Sequence, residues 1–218
     1  MTTLITPFEV VKYSPVKHDY PTSYVCDHIY NKELKLFNGK NLLRETYTKL
    51  IADLVSYSDV EEYDIESTYN EDDLVLLDGC IFQSLAGSNT HSPVDAAYWI
   101  PAPKFNTPCY NVLWVNFLRR YIAYNVIYTS IQYSTYQATS KGLSKQLQDS
   151  TGAGAVNKDE FFGWKREILD DAKDILENMI EWMNDDANKS CFPELATNGD
   201  CGKLTKKVHR GGRISWIV

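Results

Sequence analysis

The chain has 218 residues, a net charge of -7 and 44% hydrophobic residues. These are the proportions of a globular protein, which argues against a disordered chain, a collagen-like repeat or a coiled-coil rod. The negative net charge argues against a dedicated nucleic-acid binder. No apolar run approaches the roughly 20 residues of a membrane helix, and no signal peptide follows Met1, so we expect a soluble protein.

Aromatic residues stand out in the composition, with 15 Tyr, 8 Phe and 5 Trp. Tyrosine buries apolar area while its hydroxyl stays hydrated, so it serves both in an ordinary core and at protein–protein interfaces. Both interpretations stay open at the level of the sequence.

Motifs for catalysis, cofactor binding or metal binding do not occur. The sequence has no P-loop, no dinucleotide-binding fingerprint, no Gly-x-Ser-x-Gly elbow and no His-Glu-x-x-His helix. The five Cys and four His lack the short regular spacing of a zinc site. Cys191 and Cys201 would close a small loop in an oxidising compartment, but without a signal peptide we expect reduced thiols. We therefore predict no catalytic residue, no cofactor and no metal.

In chain order, residues 1–23 are rich in Pro, Thr and Tyr and predict an extended N-terminal arm. Two amphipathic helices follow, because apolar residues recur every three or four positions in residues 24–37 and again from Leu42 to Val55. Asn38-Gly39 separates the two helices and is typical of a helix end.

An acidic segment follows the second helix. It is either a solvated loop or a surface that repels anions or binds cations, although the spacing of an EF-hand loop is absent. Its eight carboxylates, with no Lys or Arg among them, are Asp59, Glu61, Glu62, Asp64, Glu66, Glu71, Asp72 and Asp73.

A small β unit comes next. Two short apolar runs, residues 74–77 and 80–84, flank Asp78-Gly79, which predicts a hairpin with a type I′ turn. We expect Trp99 to fill the underside of this hairpin, and the alternative is an exposed ring that stacks on a sugar.

Two helices dominate the second half of the chain. Residues 111–139 carry apolar side chains on more than one face, which predicts a central helix contacted on several sides. Residues 140–157 predict a flexible loop, with Gly142 as the terminator of the helix. The last helix begins at a capping box formed by Asn157 and Glu160, carries one apolar face and ends near Asn184.

The C-terminal tail is basic, with no acid beyond Asp200, and it ends in the apolar residues 214–218. That end is typical of a strand that pairs with another segment, or of a frayed terminus. The residues that we predict to dock on a partner are Lys203, Lys206, Lys207, Arg210, Arg213 and Trp216.

Three pieces of this pattern carry a family resemblance. The first is a helix that ends at Phe37-Asn38-Gly39 and leads into the helix from Leu42 to Val55. The second is the aromatic helix that contains Arg119-Arg120-Tyr121 and runs into the polar loop at residues 139–143, and the third is the closing helix from Asp159 to Met183. In order and spacing these pieces resemble the head–tail connector (adaptor) proteins of tailed phages, above all the ring proteins of crAss-like and related Bacteroides phages. Those proteins often have Leu-Gly at the first break, so Asn38 is a departure.

The resemblance implies a mainly α fold. Residues 24–58 and 108–186 would form a helical-bundle connector core, residues 59–107 an inserted β-hairpin unit with the acidic loop, and residues 1–23 and 187–218 extended arms. It also implies a structural virion protein without enzymatic activity, assembled in the host cytoplasm and located at the head–tail junction.

In such a virion the chain would pack with itself into a cyclic ring of about twelve subunits beneath the portal. Its other partners would be the portal protein and neighbouring connector or tail proteins, with packaged DNA passing nearby and no membrane. The acidic segment would face the DNA channel and help DNA ejection, and the basic tail would dock on a neighbouring ring.

Two other functions stay open on the sequence. One is a tail-associated module that binds a glycan or a receptor through residues 74–101, with Trp99 as the contact. The other is an enzyme that acts through a metal held by the acidic segment, for which the sequence supplies little ligand geometry.

Overall fold

The computed structural model describes residues 3–16, 20–37, 43–57, 59–139, 142–145, 158–193, 205–208 and 214–217. About 54% of it is helical, beside a small four-stranded sheet, which confirms the predicted mainly α class with a small β unit. The chain divides into two compact units, which we call the helical unit (Met1–Ala52 with Val112–Val218) and the sheet unit (Asp53–Asn111).

The N-terminal segment is helical, so the prediction of an extended arm is wrong. Helix α1 spans Pro7–Tyr13, and Thr6 and Glu9 form a capping box in which each side chain accepts a hydrogen bond from the other residue's backbone N–H. Val10 and Val11 are buried. The capping box and the proline at the first helical position outweigh the composition of the segment, because they satisfy orphan N–H groups and preset the backbone.

Helices α2 (Ser23–Phe37) and α3 (Leu43–Ala52) confirm the two predicted amphipathic helices. Helix α3 ends before the predicted Val55, because Leu54 forms an isolated β-bridge with Phe105 inside the sheet unit. The predicted break at Asn38-Gly39 lies outside the described residues.

A fully buried carboxylate ties the start of the chain to α2 and α3. Glu33 accepts hydrogen bonds from the backbone N–H groups of Leu4 and Ile5 and from the hydroxyl of Tyr47, each at 3.0 Å. Leu4, Ile5 and Glu33 are all 0% exposed. Burial, together with the charge of Glu33, raises the pKa of the Tyr47 hydroxyl above its usual range, so this hydroxyl remains a donor.

The middle of the chain forms one continuous helical rod. Helix α4 (Pro108–Leu113) passes into a π-helical segment (Trp114–Leu118) and then into α5 (Arg119–Thr135). Residues 121–127 are buried in an unbroken run, and α5 packs against α1, α2 and α6 (Lys158–Asn184). The prediction of a central helix contacted on several sides is confirmed, because these three helices pack against α5.

The π-helical segment follows from the spacing of the apolar residues. Leu113, Phe117 and Tyr121 recur every four residues, and Trp114, Leu118 and Ile122 do the same one position later. Four residues exceed the 3.6 of an α-helical turn, so a regular α-helix would rotate this stripe away from the core. The wider π turn, closed by the bond from the Arg119 N–H to the carbonyl of Trp114, takes up the difference and leaves Trp114 and Leu118 buried.

Helix α5 ends earlier than predicted. Residues 136–139 form strand β5 (Tyr136–Thr139), which pairs antiparallel with β6 (Gly142–Lys145), so the predicted helix over 136–139 and the predicted loop over 142–145 are wrong. The strand propensity of the aromatic and β-branched residues Tyr136 and Thr139 favours this outcome. The rest of the predicted loop, residues 146–157, lies outside the described residues.

Helix α6 ends at Asn184, as predicted, and its proposed cap Asn157 lies outside the described residues. One face of α6 buries Ile168, Ala172, Met179 and Met183. A short 3₁₀ turn (Lys189–Cys191) follows, and Phe192 packs edge-on against Trp182 with 5.9 Å between ring centroids.

The sheet unit contains four strands in sequential order. They are β1 (Glu61–Glu62), β2 (Leu74–Leu77), β3 (Cys80–Ser84) and β4 (Trp99–Pro101). Strand β1 runs parallel to β2, and the other neighbours are antiparallel. Asp78 and Gly79 have φ angles of 50° and 69°, which a type I′ turn requires, so the predicted hairpin is confirmed.

The expectation of reduced thiols fails for two of the cysteines. Cys109 and Cys191 are disulfide-bonded, so the prediction of reduced thiols is wrong for both, whereas Cys26 and Cys80 are free. Spacing along the sequence cannot reveal such bonding, because a disulfide depends on Cα separation in the folded chain. Cys201 lies outside the described residues.

Candidate functional site

The acidic segment lies on the surface of the sheet unit. Seven of its eight carboxylate side chains are exposed, and Asp73 is half-buried. Over the whole sheet unit, residues 53–111, there are eleven acidic residues against Lys104 as the single basic one. The sheet unit therefore carries a net charge of -10, although the whole chain carries -7.

Three of these acids accept hydrogen bonds from other residues of the sheet unit. Asp64 accepts hydrogen bonds from the N–H of Glu66 at 3.0 Å and from the hydroxyl of Ser67 at 3.1 Å. Asp73 accepts from the N–H of Asn70, and Asp72 accepts from the side-chain amide of Gln83, both at 2.6 Å. The carboxylates of Asp64 and Asp73 thus stabilise turns, as aspartates commonly do, whereas that of Asp72 holds the side chain of Gln83.

The remaining five acids are exposed and have no such bond among the described residues: Asp59, Glu61, Glu62, Glu66 and Glu71. They are therefore the members of the segment that are most available to a partner. Within the described part of the chain, no group of three or more His, Cys, Asp or Glu side chains is arranged to hold a metal ion.

Trp99 is not a sugar-stacking platform. Its side chain is 1% exposed, and its indole N–H donates to the carbonyl of His91 at 2.8 Å. Tyr63 and Tyr69 meet its ring edge-on at centroid distances of 6.3 and 5.4 Å. The expectation that Trp99 fills the underside of the hairpin is confirmed, and its alternative as a glycan contact is wrong because the ring faces are covered.

The other face of the same sheet is apolar and only partly covered. Paired residues of antiparallel strands project to one side, and side chains alternate along each strand. The register therefore places Leu76 opposite Ile81 on this face, and Leu74, Gln83 and Ile100 in one row across it. Leu85 follows the last residue of β3 and lies on the same face as Ile81 and Gln83.

Leu85 and Ile100 are 43% and 40% exposed, while Leu74, Leu76 and Ile81 are half-buried. We call these five residues the apolar face. The sequence carried a signal for it, because residues 74–77 and 80–82 are apolar without the alternation of a strand that has one wet side.

The basic tail contains strands, which is one of the two alternatives that the sequence left open for its end. Strands β7 (Thr205–Val208) and β8 (Ile214–Ile217) pair with each other in a separate two-stranded antiparallel sheet. Lys206, Lys207 and Trp216 fall within these strands. Lys203, Arg210 and Arg213 lie outside the described residues.

The helical unit contains a pair of neighbouring lysines that the sequence analysis did not predict. Lys165, which is 5% exposed, places its ammonium 4.4 Å from the ring centroid of Tyr128, and Lys32 approaches the same ring at 5.8 Å. Burial lowers the pKa of both lysines. The ammonium of Lys32 lowers the pKa of Lys165 further, and the ammonium of Lys35 lowers that of Lys32. The cation–π contacts offset part of this cost. The two lysines are 133 positions apart, so no local motif could indicate the pair.

Several large apolar side chains of the helical unit reach solvent. Near the start of α6, Phe162 and Trp164 are 48% and 40% exposed, and Val112 and Val115 are 43% and 44% exposed around the π-helical segment. Phe162 and Trp164 are two residues apart and therefore about 200° apart around the helix. The exposed apolar surface of α6 thus points in two directions.

None of the described helices is long and apolar enough to cross a membrane.

Comparison with known proteins gives one partial match. Residues 104–204, a little under half of the chain, match a family of unknown function, DUF6712. The matched stretch contains α4, the π-helical segment, α5 and α6. No curated protein and no solved structure matches the chain. The chain is therefore similar, over its central and closing helices, to a family whose description names no function.

Proposed function

We propose that this chain is a structural virion protein, the subunit of a head–tail connector (adaptor) ring beneath the portal of a tailed phage. In this role it extends the DNA channel and docks the tail. The observation that carries the proposal is the pair of exposed aromatic side chains, Phe162 and Trp164, on different sides of the start of α6.

A closed ring needs two different contact surfaces on each subunit, because one copy's patch meets another patch on the next copy. Phe162 and Trp164 supply aromatic anchors in two directions, and aromatic residues are enriched at such interfaces. Val112 and Val115 add exposed apolar area one helical turn apart. This arrangement supports lateral packing of the helical unit, which the resemblance to connector proteins also implies.

The charge of the sheet unit supports a position beside DNA that passes without binding. A unit with eleven acids and one lysine repels phosphate, which keeps a duplex from adhering to the channel wall. In the proposed ring the acidic segment faces the channel.

The first test is quantitative mass spectrometry of purified virions, with the chain counted against the portal and the major capsid protein. We expect a copy number equal to that of the portal, about twelve under ring symmetry. Absence from the particle would refute a structural role. A multiple of three well away from the portal number would indicate a fibre or receptor-binding protein instead.

The second test addresses the channel. Asp59→Asn, Glu61→Gln, Glu62→Gln and Glu66→Gln together remove four exposed charges and leave the hydrogen-bonded Asp64, Asp72 and Asp73 in place. We expect slower DNA ejection, because the wall repels phosphate less.

The matched control neutralises four exposed acids of α6: Glu167→Gln, Asp171→Asn, Asp174→Asn and Glu181→Gln. We expect this control to eject DNA at the normal rate. Normal ejection by the acidic-segment variant would place that segment away from the channel.

A further inference from the structure

The sheet unit exposes apolar side chains to solvent on one face of its sheet. An antiparallel sheet with one packed face normally turns polar side chains outward. Here the outward face is built mainly of leucine and isoleucine, with Gln83 between the rows and Glu62, which pairs with Leu76, at its edge, and Leu85 and Ile100 stay at least 40% exposed. Exposed apolar side chains grouped on one face of a sheet indicate a site of protein–protein contact.

The charge around the apolar face restricts its occupant. With a net charge of -10, the sheet unit repels acidic partners and attracts basic ones. Two sheet units cannot therefore pair face to face without bringing like charges together. A suitable occupant combines apolar side chains with a basic rim.

The C-terminal segment, residues 203–218, has this composition. It contains five Lys or Arg and no acid, and its apolar residues include Val208, Ile214, Trp216 and Ile217. Its strands β7 and β8 form a sheet of two strands, and an isolated two-stranded hairpin is marginally stable in water. An apolar surface therefore stabilises such a hairpin, and the sheet unit offers one of opposite charge.

We propose that the C-terminal segment of one copy docks on the apolar face of the sheet unit of a second copy. This inference rests on the proposed function, since a tail-to-face contact is heterologous and can be repeated from subunit to subunit around a ring. Apolar packing on Leu85 and Ile100 supplies affinity, and the opposite charges supply specificity and rate of association.

The test uses two variants of the full chain. The face variant carries Leu85→Ser and Ile100→Ser, and the tail variant carries Lys206→Glu and Lys207→Glu. Each is studied alone by sedimentation velocity at low and high salt, with circular dichroism to verify the fold. We expect the wild-type chain to self-associate more weakly at high salt, and each variant to raise the dissociation constant at least about tenfold.

Two matched controls separate the proposed contact from general surface effects. Ile65→Ser with Val94→Ser removes two apolar side chains that are 78% and 79% exposed in the same unit but outside the apolar face. Lys35→Glu with Arg44→Glu makes the same charge change on exposed residues of α2 and α3. Both controls should associate like the wild type.

Mixing the face variant with the tail variant gives the decisive result. The intact face of the tail variant can still accept the intact tail of the face variant, so we expect the mixture to form pairs that neither variant forms alone. Wild-type association by both variants, no pairing in the mixture, or a wild-type chain that stays monomeric would each overturn the proposal.

Virion copy number is an independent measurement. A chain that is absent from virions but pairs in the mixture would refute the connector and retain the docking contact.

Discussion

Replacing Glu33 with glutamine should weaken the attachment of the N-terminal segment to α2 and lower the free energy of unfolding of the helical unit by about 3 kcal/mol. The carboxylate is 0% exposed and accepts from the N–H groups of Leu4 and Ile5 and from the hydroxyl of Tyr47. These donors approach both oxygens, with Leu4 and Tyr47 at Oε2 and Ile5 at Oε1.

Glutamine has one acceptor oxygen, and its NH₂ group would face an N–H donor at the other position. In the better of the two amide orientations the Ile5 N–H loses its acceptor, and an orphaned buried donor costs about 1–3 kcal/mol. The bonds to Leu4 and Tyr47 persist, but each loses about 1 kcal/mol because its acceptor is no longer charged. Relief of the cost of burying a charge returns part of this, which leaves the total near 3 kcal/mol.

Urea unfolding followed by far-ultraviolet circular dichroism measures the change in stability, and hydrogen exchange measures the two amides directly. The Leu4 and Ile5 amides should exchange faster in Glu33→Gln than in the wild type. Glu45→Gln on α3 is the control, because Glu45 is exposed and its replacement should change stability by no more than about 0.5 kcal/mol. A wild-type urea midpoint together with wild-type exchange at Leu4 and Ile5 would refute the reasoning.

Three further predictions concern ionisation and backbone conformation. Burial raises the pKa of Tyr121 to about 12, so the contribution of its neutral hydroxyl to stability is complete below pH 10 and is lost as the pH rises toward 12. Tyr121→Phe should therefore reduce the fall of the free energy of unfolding at alkaline pH, and an unchanged fall would contradict this. Gly79→Ala should destabilise the sheet unit by about 1–2 kcal/mol in thermal unfolding, because the φ of 69° at this position is strained for a residue with a side chain. The control Gly87→Ala should have little effect, because a Cβ added at Gly87 meets no atom within 4 Å. Gly163→Ala should stabilise α6 by about 0.5–1 kcal/mol, because a Cβ there meets nothing within 4 Å and alanine is the better helix former, and a lower melting temperature would count against it.

The elements that the sequence predicts well are those with a strong local signal. The type I′ turn needs only Asp78-Gly79 and its apolar neighbours, and α6 shows its apolar face over many turns. Helix α1 has seven residues, too few for a periodic pattern, and the residues just before it are held by Glu33, which lies 28 positions after Ile5. A search for the capping box at Thr6 and Glu9 would have found its start.

The candidate surfaces are harder to predict from the sequence, because they depend on strand register and on residues that are distant along the chain. The acidic segment is visible as composition, but only the structure separates the hydrogen-bonded Asp64 and Asp72 from the exposed Glu61. Side chains of β2 become members of an exposed apolar face only once the strand pairing is known. The buried Lys165 meets Tyr128 across two helices, a contact that helical periodicity does not encode.

The π-helical segment Trp114–Leu118 has a consequence for how this chain should be compared with relatives. A π turn amounts to one residue inserted into an α-helix, and that residue changes the angular phase of everything before it by about 100° relative to everything after it. A relative whose apolar residues keep the α-helical period through this stretch should therefore align with a gap of one residue within positions 114–118. Such a gap would mark where the two lineages set the phase of α4 differently while both keep the contacts of α5.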